Sequence, residues 1–230
     1  RLLDSAKMLD MDVDTPVETL VKAAEDTCTK NNLTNAYIRP LIWRGSEAMG
    51  INAKLALPHI AIAAWDWGKY FTDPDKGISL VTAKWKKAPP DCVPFASKCG
   101  GLYVTNSLNK HYALDQGYDD VLVLDWRGQV AESSGANIFA LIDGVLKTPI
   151  ADCFLNGITR QTIIQLAKDN DIMVEECVLF PADLDKASEI FVTGTAAEVT
   201  AVRQINEKNY EVNGEITKRM QALYFEATQS

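Results

Sequence analysis

The chain has 230 residues, of which 47% are hydrophobic and 23% are charged. This length is sufficient for one large globular domain or two smaller ones with buried cores. The formal net charge of -8 argues against nucleic acid or an anionic membrane as the main partner, because both bind basic surfaces. A phosphate group would therefore need a local binding site instead of a general positive field.

The cysteines and histidines exclude several kinds of site. The five cysteines are scattered, and they predict reduced thiols in a cytoplasmic compartment instead of a disulfide framework or a zinc site. The chain has only two histidines, which argues against a His-rich metal site or a Ser-His-Asp hydrolase. The chain starts at Arg1 without a Met or a leader pattern, so it stays open whether an organelle-targeting segment has been removed.

The first part of the chain predicts a small α/β domain over residues 1–64. Its opening residues, 1–9, resemble the end of an amphipathic helix. The run Thr15-Pro16-Val17-Glu18 predicts a second helix with Thr15 as N-cap and Glu18 closing a capping box, ending near Lys30. Strands are predicted over residues 37–43 and 59–64. Residues 65–77 lack an apolar period and predict an interdomain linker.

Residues 78–230 predict a larger domain in which strands occur in clusters with helices between them, which favours an α+β fold. Asp143-Gly144 is a strong hairpin signal between two of the strands. The strands are predicted over residues 78–83, 121–125, 129–132, 139–142, 145–148 and 189–192. The helices are predicted over residues 107–116, 159–170 and 215–227.

Two side chains in this larger region are candidates for chemistry. Lys98 is flanked by small residues, so a substrate could approach its amine closely. Glu132 ends a predicted strand immediately before a glycine-containing turn, a position from which a carboxylate often points into a cleft. Taken singly, a solvated lysine and an edge-strand carboxylate are the commoner interpretations.

Two glycine-led turns are candidate anion sites. Gly157-Ile158-Thr159-Arg160 precedes an amphipathic helix, whose first backbone N–H groups could bind a phosphate. The alternative is that Thr159 is an ordinary helix cap. The run Gly194-Thr195-Ala196-Ala197-Glu198 follows a strand in the same manner and predicts a second strand-to-helix turn.

Together these motifs resemble the fold-type IV (class IV) pyridoxal-phosphate enzymes. The motifs are Lys98-x-x-Gly101-x-Tyr103, Ala131-Glu132-x-x-x-Ala136-Asn137-Ile138-Phe139 and the two glycine-led runs. Within that family, Tyr37-Ile38-Arg39-Pro40-Leu41 followed by Trp43-x-Gly45 is similar to branched-chain amino-acid aminotransferases. The resemblance implies a two-domain fold with a small α/β domain, a larger mixed-sheet, barrel-like domain, and the cofactor between them.

The resemblance also implies roles toward pyridoxal 5'-phosphate. Lys98 would form the Schiff base and move the substrate proton, Glu132 would pair with the ring nitrogen, and Tyr103 would bind the phenolic oxygen. The phosphate would be bound by the backbone of Ile158 and Thr159 with the side chains of Thr195 and Arg1.

The implied reaction is transamination between a branched-chain L-amino acid (leucine, isoleucine or valine) and 2-oxoglutarate, in a homodimer or larger homo-oligomer. The amides of Thr195 and Ala196, with Tyr37, would bind the substrate carboxylate. Arg39 would bind the acidic arm of glutamate and Trp67 would line the apolar pocket. A structural ion pair is the competing interpretation of Arg39.

The sequence departs from the family at three places. Leu102 replaces a common Asn, Ala201 replaces a common Pro, and the family has several tens of residues before the position of Arg1. We therefore expect that the small domain is incomplete here and that the chain is part of a longer one. The alternatives are a D-amino-acid aminotransferase or aminodeoxychorismate lyase of the same fold, and a non-catalytic cofactor-binding or scaffold protein.

Overall fold

A computed structural model describes residues 1–68, 76–212 and 214–229. The chain forms two compact units, the first comprising Arg1–Lys69 and Ser97–Cys99 and the second Tyr70–Ala96 and Gly100–Ser230. Most of the predicted linker, residues 69–75, lies outside the described residues. None of the helices in the described ranges is long and apolar enough to cross a membrane.

The first unit contains two helices and a two-stranded antiparallel sheet. Its elements are α1 (Leu2–Met8), α2 (Val17–Lys30), β1 (Tyr37–Arg44) and β2 (Pro58–Trp65). The register places Tyr37 opposite Trp65 and Arg39 opposite Ala63. At the other end of β1, the Arg44 guanidinium donates to the carbonyl oxygens of Leu9 at 2.9 Å and Asp10 at 2.7 Å. This contact holds the end of α1 against the sheet.

The predicted capping box at the start of α2 is wrong. The N-cap is Pro16, whose side chain has no polar group to cap the helix. The Pro16 carbonyl oxygen accepts from the amides of Thr19 and Leu20 at 3.1 and 3.3 Å. Thr15 therefore lies one residue outside the cap position from which a hydroxyl reaches the free amides.

The second unit is built on a mixed sheet of nine strands among the described residues, with the order β5-β4-β3-β10-β9-β6-β7-β8 and β11 paired to β10. The strands are β3 (Ile78–Thr82), β4 (Asp120–Leu124), β5 (Val130–Glu132), β6 (Asn137–Ile142), β7 (Val145–Pro149), β8 (Val174–Cys177), β9 (Glu189–Gly194), β10 (Glu198–Ile205) and β11 (Lys208–Asn209). The helices are α3 (Val104–Asp115), α4 (Ile158–Asp169), α5 (Pro181–Leu184) and α6 (Glu215–Gln229), with a 3-10 helix at Gly100–Tyr103.

This sheet curls on itself, which confirms the predicted α+β, barrel-like domain. The amide of Val130 on edge strand β5 donates to the carbonyl of Leu179, just after the opposite edge strand β8, at 2.8 Å. The inner face of the curl holds the largest apolar cluster, which includes Leu80, Ile138 and Val192. Burying this face removes a large apolar area from water and stabilises the unit.

The helix predicted after Gly194 is wrong, because the chain enters strand β10 instead. Strand β10 pairs antiparallel with β9, and Glu198 at its start has a φ of 48°. Val199, Ala201 and Val202 are buried in the sheet. The β-branched residues of this segment favour a strand, and their burial decides the conformation after a turn of small residues.

Helices α4 and α6 cover the outer face of β6 and β9. The rings of Phe139 and Phe191 stack on neighbouring strands with centroids 5.1 Å apart, and both side chains are buried. Ile163 of α4 and Met220 of α6 belong to the same apolar cluster. This packing determines where the N-terminus of α4 lies on the sheet.

We predict that Phe139→Ala lowers the free energy of unfolding by about 3–5 kcal/mol, because it leaves a cavity under α4 and α6. Phe225 of α6 is 62% exposed and provides a matched control. Phe225→Ala should change the free energy by less than about 0.5 kcal/mol. Urea denaturation of the two variants measures the difference, and equal losses would contradict the packing described here.

Candidate active site

In the first unit, Lys98 lies beside the helix that follows Arg1. The Ser97 hydroxyl donates to the Ser5 carbonyl oxygen at 3.1 Å, and the Lys98 amide donates to the Ser5 hydroxyl at 3.0 Å. Ser5 and Ser97 are buried, whereas Lys98 is exposed. Ser5 on α1 thus fixes the backbone of Lys98 from a position 93 residues away in the sequence, a role that the sequence did not indicate.

The first unit also brings together three of the predicted substrate residues. The Arg39 guanidinium carbon lies 5.3, 5.4 and 5.5 Å from the ring centroids of Tyr37, Trp65 and Trp67. These distances fall in the range of cation–π attraction. The part of the chain that the structure describes supplies no carboxylate partner for Arg39. Trp65 was not predicted as a site residue, although its place opposite Tyr37 follows from the strand register.

In the second unit, Glu132 is a buried carboxylate with a buried cationic partner. The Glu132 side chain is 9% exposed, and its Oε1 atom lies 2.6 Å from the Lys87 ammonium, whose side chain is 7% exposed. The Lys87 ammonium also donates to the Asn106 amide oxygen at 2.9 Å. Glu132 lies on the edge strand β5, but its side chain is buried beside Lys87 instead of being a solvated charge.

The first turn of α4 begins at a glycine held by a side chain from β6. Gly157 is the N-cap of the helix and has no side chain that could cap the free amides of the first turn. The Asn137 amide oxygen accepts from the Gly157 N–H at 3.2 Å, and its NH₂ group donates to the Leu155 carbonyl at 3.0 Å. A Cβ at Gly157 would collide with the Asn137 amide oxygen. Thr159 is therefore not the helix cap.

Arg160, the last residue of the Gly157–Arg160 motif, holds the first turn of α4 to the sheet. Its side chain is 1% exposed and forms an ion pair with Glu176 of β8 at 2.6 Å. The guanidinium also donates to the Pro149 carbonyl at 2.8 Å and to the Asn156 amide oxygen at 2.9 Å. A buried arginine with this many partners holds the helix start to β7 and β8. The sequence analysis included Arg160 in the motif but did not predict this structural role.

The turn after β9 presents small residues beside a buried hydroxyl. Thr195 is exposed, Ala196 is half-buried and Thr193 is 1% exposed. Among the described residues, the Thr193 hydroxyl is the buried side-chain oxygen that has no hydrogen-bond partner. Thr193 lies opposite Asn137 in the sheet register, and so on the face from which Asn137 reaches the start of α4.

Of the remaining predicted residues, Tyr103 is half-buried at the end of the 3-10 helix and is the N-cap of α3. Tyr103, Glu132, Ile158, Thr159, Thr195 and Ala196 belong to the second unit, and Arg1, Tyr37, Arg39, Trp67 and Lys98 to the first. Each unit thus carries one group of the predicted site.

Comparison with known proteins identifies the family. The sequence profile of the family described as "Amino-transferase class IV" matches residues 1–205. The chain belongs to the class IV aminotransferases.

Relatives within this family are branched-chain enzymes by name. The chain is 40% identical to the branched-chain-amino-acid aminotransferase of Salmonella typhimurium, covering 98% of this chain and 75% of that protein. Its identity to the enzyme of the same name in Pseudomonas aeruginosa is 36%, again over 98% of this chain and 75% of that protein.

Solved structures agree with this assignment. The crystal structure of the Escherichia coli branched-chain amino acid aminotransferase has a TM-score of 0.93 and 40% identity, covering 97% of this chain and 75% of that one. The crystal structure of an aminotransferase from Brucella abortus, bound to the cofactor PLP, has a TM-score of 0.89 and 29% identity, covering 100% of this chain and 82% of that one.

The class IV aminotransferases use pyridoxal phosphate, and the residues of the second unit fit such a group. A pyridine nitrogen needs a buried acidic partner, and Glu132 is one. A phosphate needs several donors, which the first turn of α4 provides as uncapped amides. The Thr193 hydroxyl, buried without a partner, is a further donor that a ligand could satisfy.

We predict that Arg160→Met destabilises the protein by about 3–5 kcal/mol, because it removes the buried partner of several polar groups. It should also weaken binding of pyridoxal phosphate, because the first turn of α4 loses its support. Arg219 donates from an exposed position to the Asn170 carbonyl and is the matched control. Arg219→Met should cost less than about 1 kcal/mol. Thermal unfolding and cofactor titration measure both effects; an unaffected Arg160→Met variant would refute the role of Arg160.

Proposed function

We propose that the protein catalyses transamination between a branched-chain L-amino acid (leucine, isoleucine or valine) and 2-oxoglutarate, with pyridoxal 5'-phosphate as cofactor. The products are the branched 2-oxo acid and L-glutamate. The observation that carries this proposal is the 40% identity to branched-chain-amino-acid aminotransferases over 98% of the chain. The arrangement of Arg39 among aromatic rings supports it from the structure.

When bound, pyridoxal phosphate would supply a carrier for the amino group and an electron sink for the substrate α-carbon. The Lys98 side-chain amine would hold the cofactor, and once the substrate amine has replaced it there, it would move the proton at the substrate α-carbon. Glu132 pairs with the pyridine nitrogen, and its buried surroundings strengthen that interaction relative to water. Tyr103 donates to the phenolic oxygen.

The anionic groups of the ligands are bound mainly by backbone amides. The amides of Ile158 and Thr159 bind the phosphate, together with the Thr195 hydroxyl and Arg1. The amides of Thr195 and Ala196, with Tyr37, bind the substrate α-carboxylate. The uncapped first turn of α4 supports the first assignment, because its free N–H groups and helix dipole favour an anion.

Arg39 accounts for the acceptance of both an apolar and an acidic substrate. Trp67 and the neighbouring rings provide apolar walls for a branched side chain. The Arg39 guanidinium carbon lies 5.3, 5.4 and 5.5 Å from the ring centroids of Tyr37, Trp65 and Trp67. A cation held in this way can bind the second carboxylate of glutamate without exposing a separate charged pocket.

We further propose that the protein acts as a homodimer or larger homo-oligomer on small-molecule substrates. The cytoplasmic location expected from the cysteines stays a prediction.

The direct test is turnover. Purified protein with added cofactor should convert L-leucine and 2-oxoglutarate into L-glutamate, and it should not act on D-alanine. Lys98→Ala should abolish the reaction while leaving the circular dichroism spectrum unchanged. Reaction with D-alanine but not with L-leucine would favour a D-amino-acid aminotransferase. Cofactor binding by the wild-type protein without any turnover would favour the binding or scaffold protein.

We predict that Arg39→Leu raises KM for 2-oxoglutarate by about tenfold or more, because it removes a charge-assisted hydrogen bond. KM for L-leucine should change by less than about threefold. Arg39→Lys keeps the charge and serves as the matched control, with an intermediate KM for 2-oxoglutarate. Equal increases of both KM values in Arg39→Leu would show that Arg39 is structural.

A further inference from the structure

Lys87, which has no part in the function proposed above, lies against the buried Glu132 carboxylate. Lys87 precedes Lys98 in the chain and belongs to the second unit. Its ammonium lies 2.6 Å from the Glu132 carboxylate, and both side chains are less than one-tenth exposed. No other described pair of opposite charges has both side chains this deeply buried.

Lys87 is held by hydrogen bonds both at its backbone and at its ammonium group. Its backbone amide donates to the Leu124 carbonyl of β4 at 2.9 Å. The ammonium donates to the Asn106 amide oxygen at 2.9 Å, and the Asn106 NH₂ group donates to the Ser134 carbonyl at 2.7 Å. Ser134 lies in the turn that follows Glu132. Lys87, Asn106 and this turn therefore form one buried polar network around the carboxylate.

The energetics of burial require such a partner. An uncompensated carboxylate in a protein interior is costly, and it responds by binding a proton or by turning toward water. Either response would remove the negative charge that a protonated pyridine nitrogen needs. A fixed ammonium avoids both, because it compensates the charge before any ligand arrives and holds the carboxylate in one orientation.

We propose that Lys87 is a positioning residue for the cofactor ring, which keeps Glu132 charged and oriented toward the pyridine nitrogen. The proposal rests on the function proposed above, since it takes Glu132 as the partner of that nitrogen. Lys87 acts through Glu132 and contacts no reacting atom. Removing Lys87 should therefore weaken the binding of a ligand that has the ring nitrogen far more than the binding of one that lacks it.

The test compares pyridoxal phosphate with an analogue in which a C–H group replaces the ring nitrogen. In Lys87→Met, the dissociation constant of pyridoxal phosphate should rise by about tenfold or more, and that of the analogue by less than about threefold. Lys87→Arg keeps a cation at the same place and should bind pyridoxal phosphate within about threefold of wild type. Fluorescence titration of the cofactor-free proteins gives all of these values.

A double-mutant cycle tests whether Lys87 acts through the carboxylate. Lys87→Met combined with Glu132→Gln should bind pyridoxal phosphate no more weakly than Glu132→Gln alone, because the variants remove the same interaction. Additive losses would overturn the proposal. An equal loss of affinity for pyridoxal phosphate and the analogue would also overturn it, since it would show a general structural role.

Two controls keep the result interpretable. Lys87→Gln, which removes the positive charge but keeps a polar side chain, replaces Lys87→Met if circular dichroism shows that the latter does not fold, and the same outcomes apply to it. Wild-type protein that neither bound pyridoxal phosphate nor transaminated L-leucine would overturn the proposed function and this inference with it. If the wild type is active and Lys87→Met binds the cofactor with unchanged affinity, the inference about Lys87 is overturned while the proposed function stands.

Discussion

The second unit depends on the contact that holds the N-terminus of α4 to the curled sheet. The buried Arg160 guanidinium binds Glu176, the Pro149 carbonyl and the Asn156 side chain. The Asn137 side chain on β6 accepts a hydrogen bond from the Gly157 N–H. An uncapped helix end has several free amides, and these bind an anion well only if they are held in place. The Arg160 ion pair and the hydrogen bonds of the Asn137 side chain hold these amides in place, so the motif Gly157–Arg160 combines the proposed phosphate donors with their support.

A second constraint concerns charge. The cofactor chemistry requires a carboxylate that stays negative away from water, and the protein supplies an ammonium beside it, with Lys87 at 2.6 Å from Glu132. Arg39 shows the converse solution in the first unit, where a cation lies against aromatic rings instead of a described carboxylate. In both places the surroundings fix a charged group for which we propose a ligand-binding role.

Much of the fold was predictable because local patterns agree with the tertiary structure. Asp143 and Gly144 have φ values of 51° and 76°, the conformation that the predicted tight hairpin requires. The apolar face of α4 was predicted for the same reason. The segment after Gly194 was mispredicted because Thr195–Ala197 permits several turns, and only sheet pairing with β9 makes the following residues a strand.

The sequence motifs named candidate site residues but not the contacts that these residues make. Lys98, Glu132 and the α4 turn were named from the motifs and stay predictions as site residues, whereas Ser5, Lys87 and Trp65 became visible only through their contacts in the structure. Ser5 is 93 residues from Lys98, and such pairings arise only when the chain folds. Buried networks of this kind leave no periodic signal in a sequence, because each member is a common polar residue.

The most direct measurement of the central claim is a single half-reaction. Protein loaded with pyridoxal phosphate is mixed with L-leucine in the absence of any 2-oxo acid, with D-leucine as the control. The account predicts that L-leucine removes the visible absorption of the bound cofactor and releases one equivalent of the branched 2-oxo acid per chain, whereas D-leucine does neither. An unchanged spectrum with L-leucine, or an equal response to D-leucine, would contradict it.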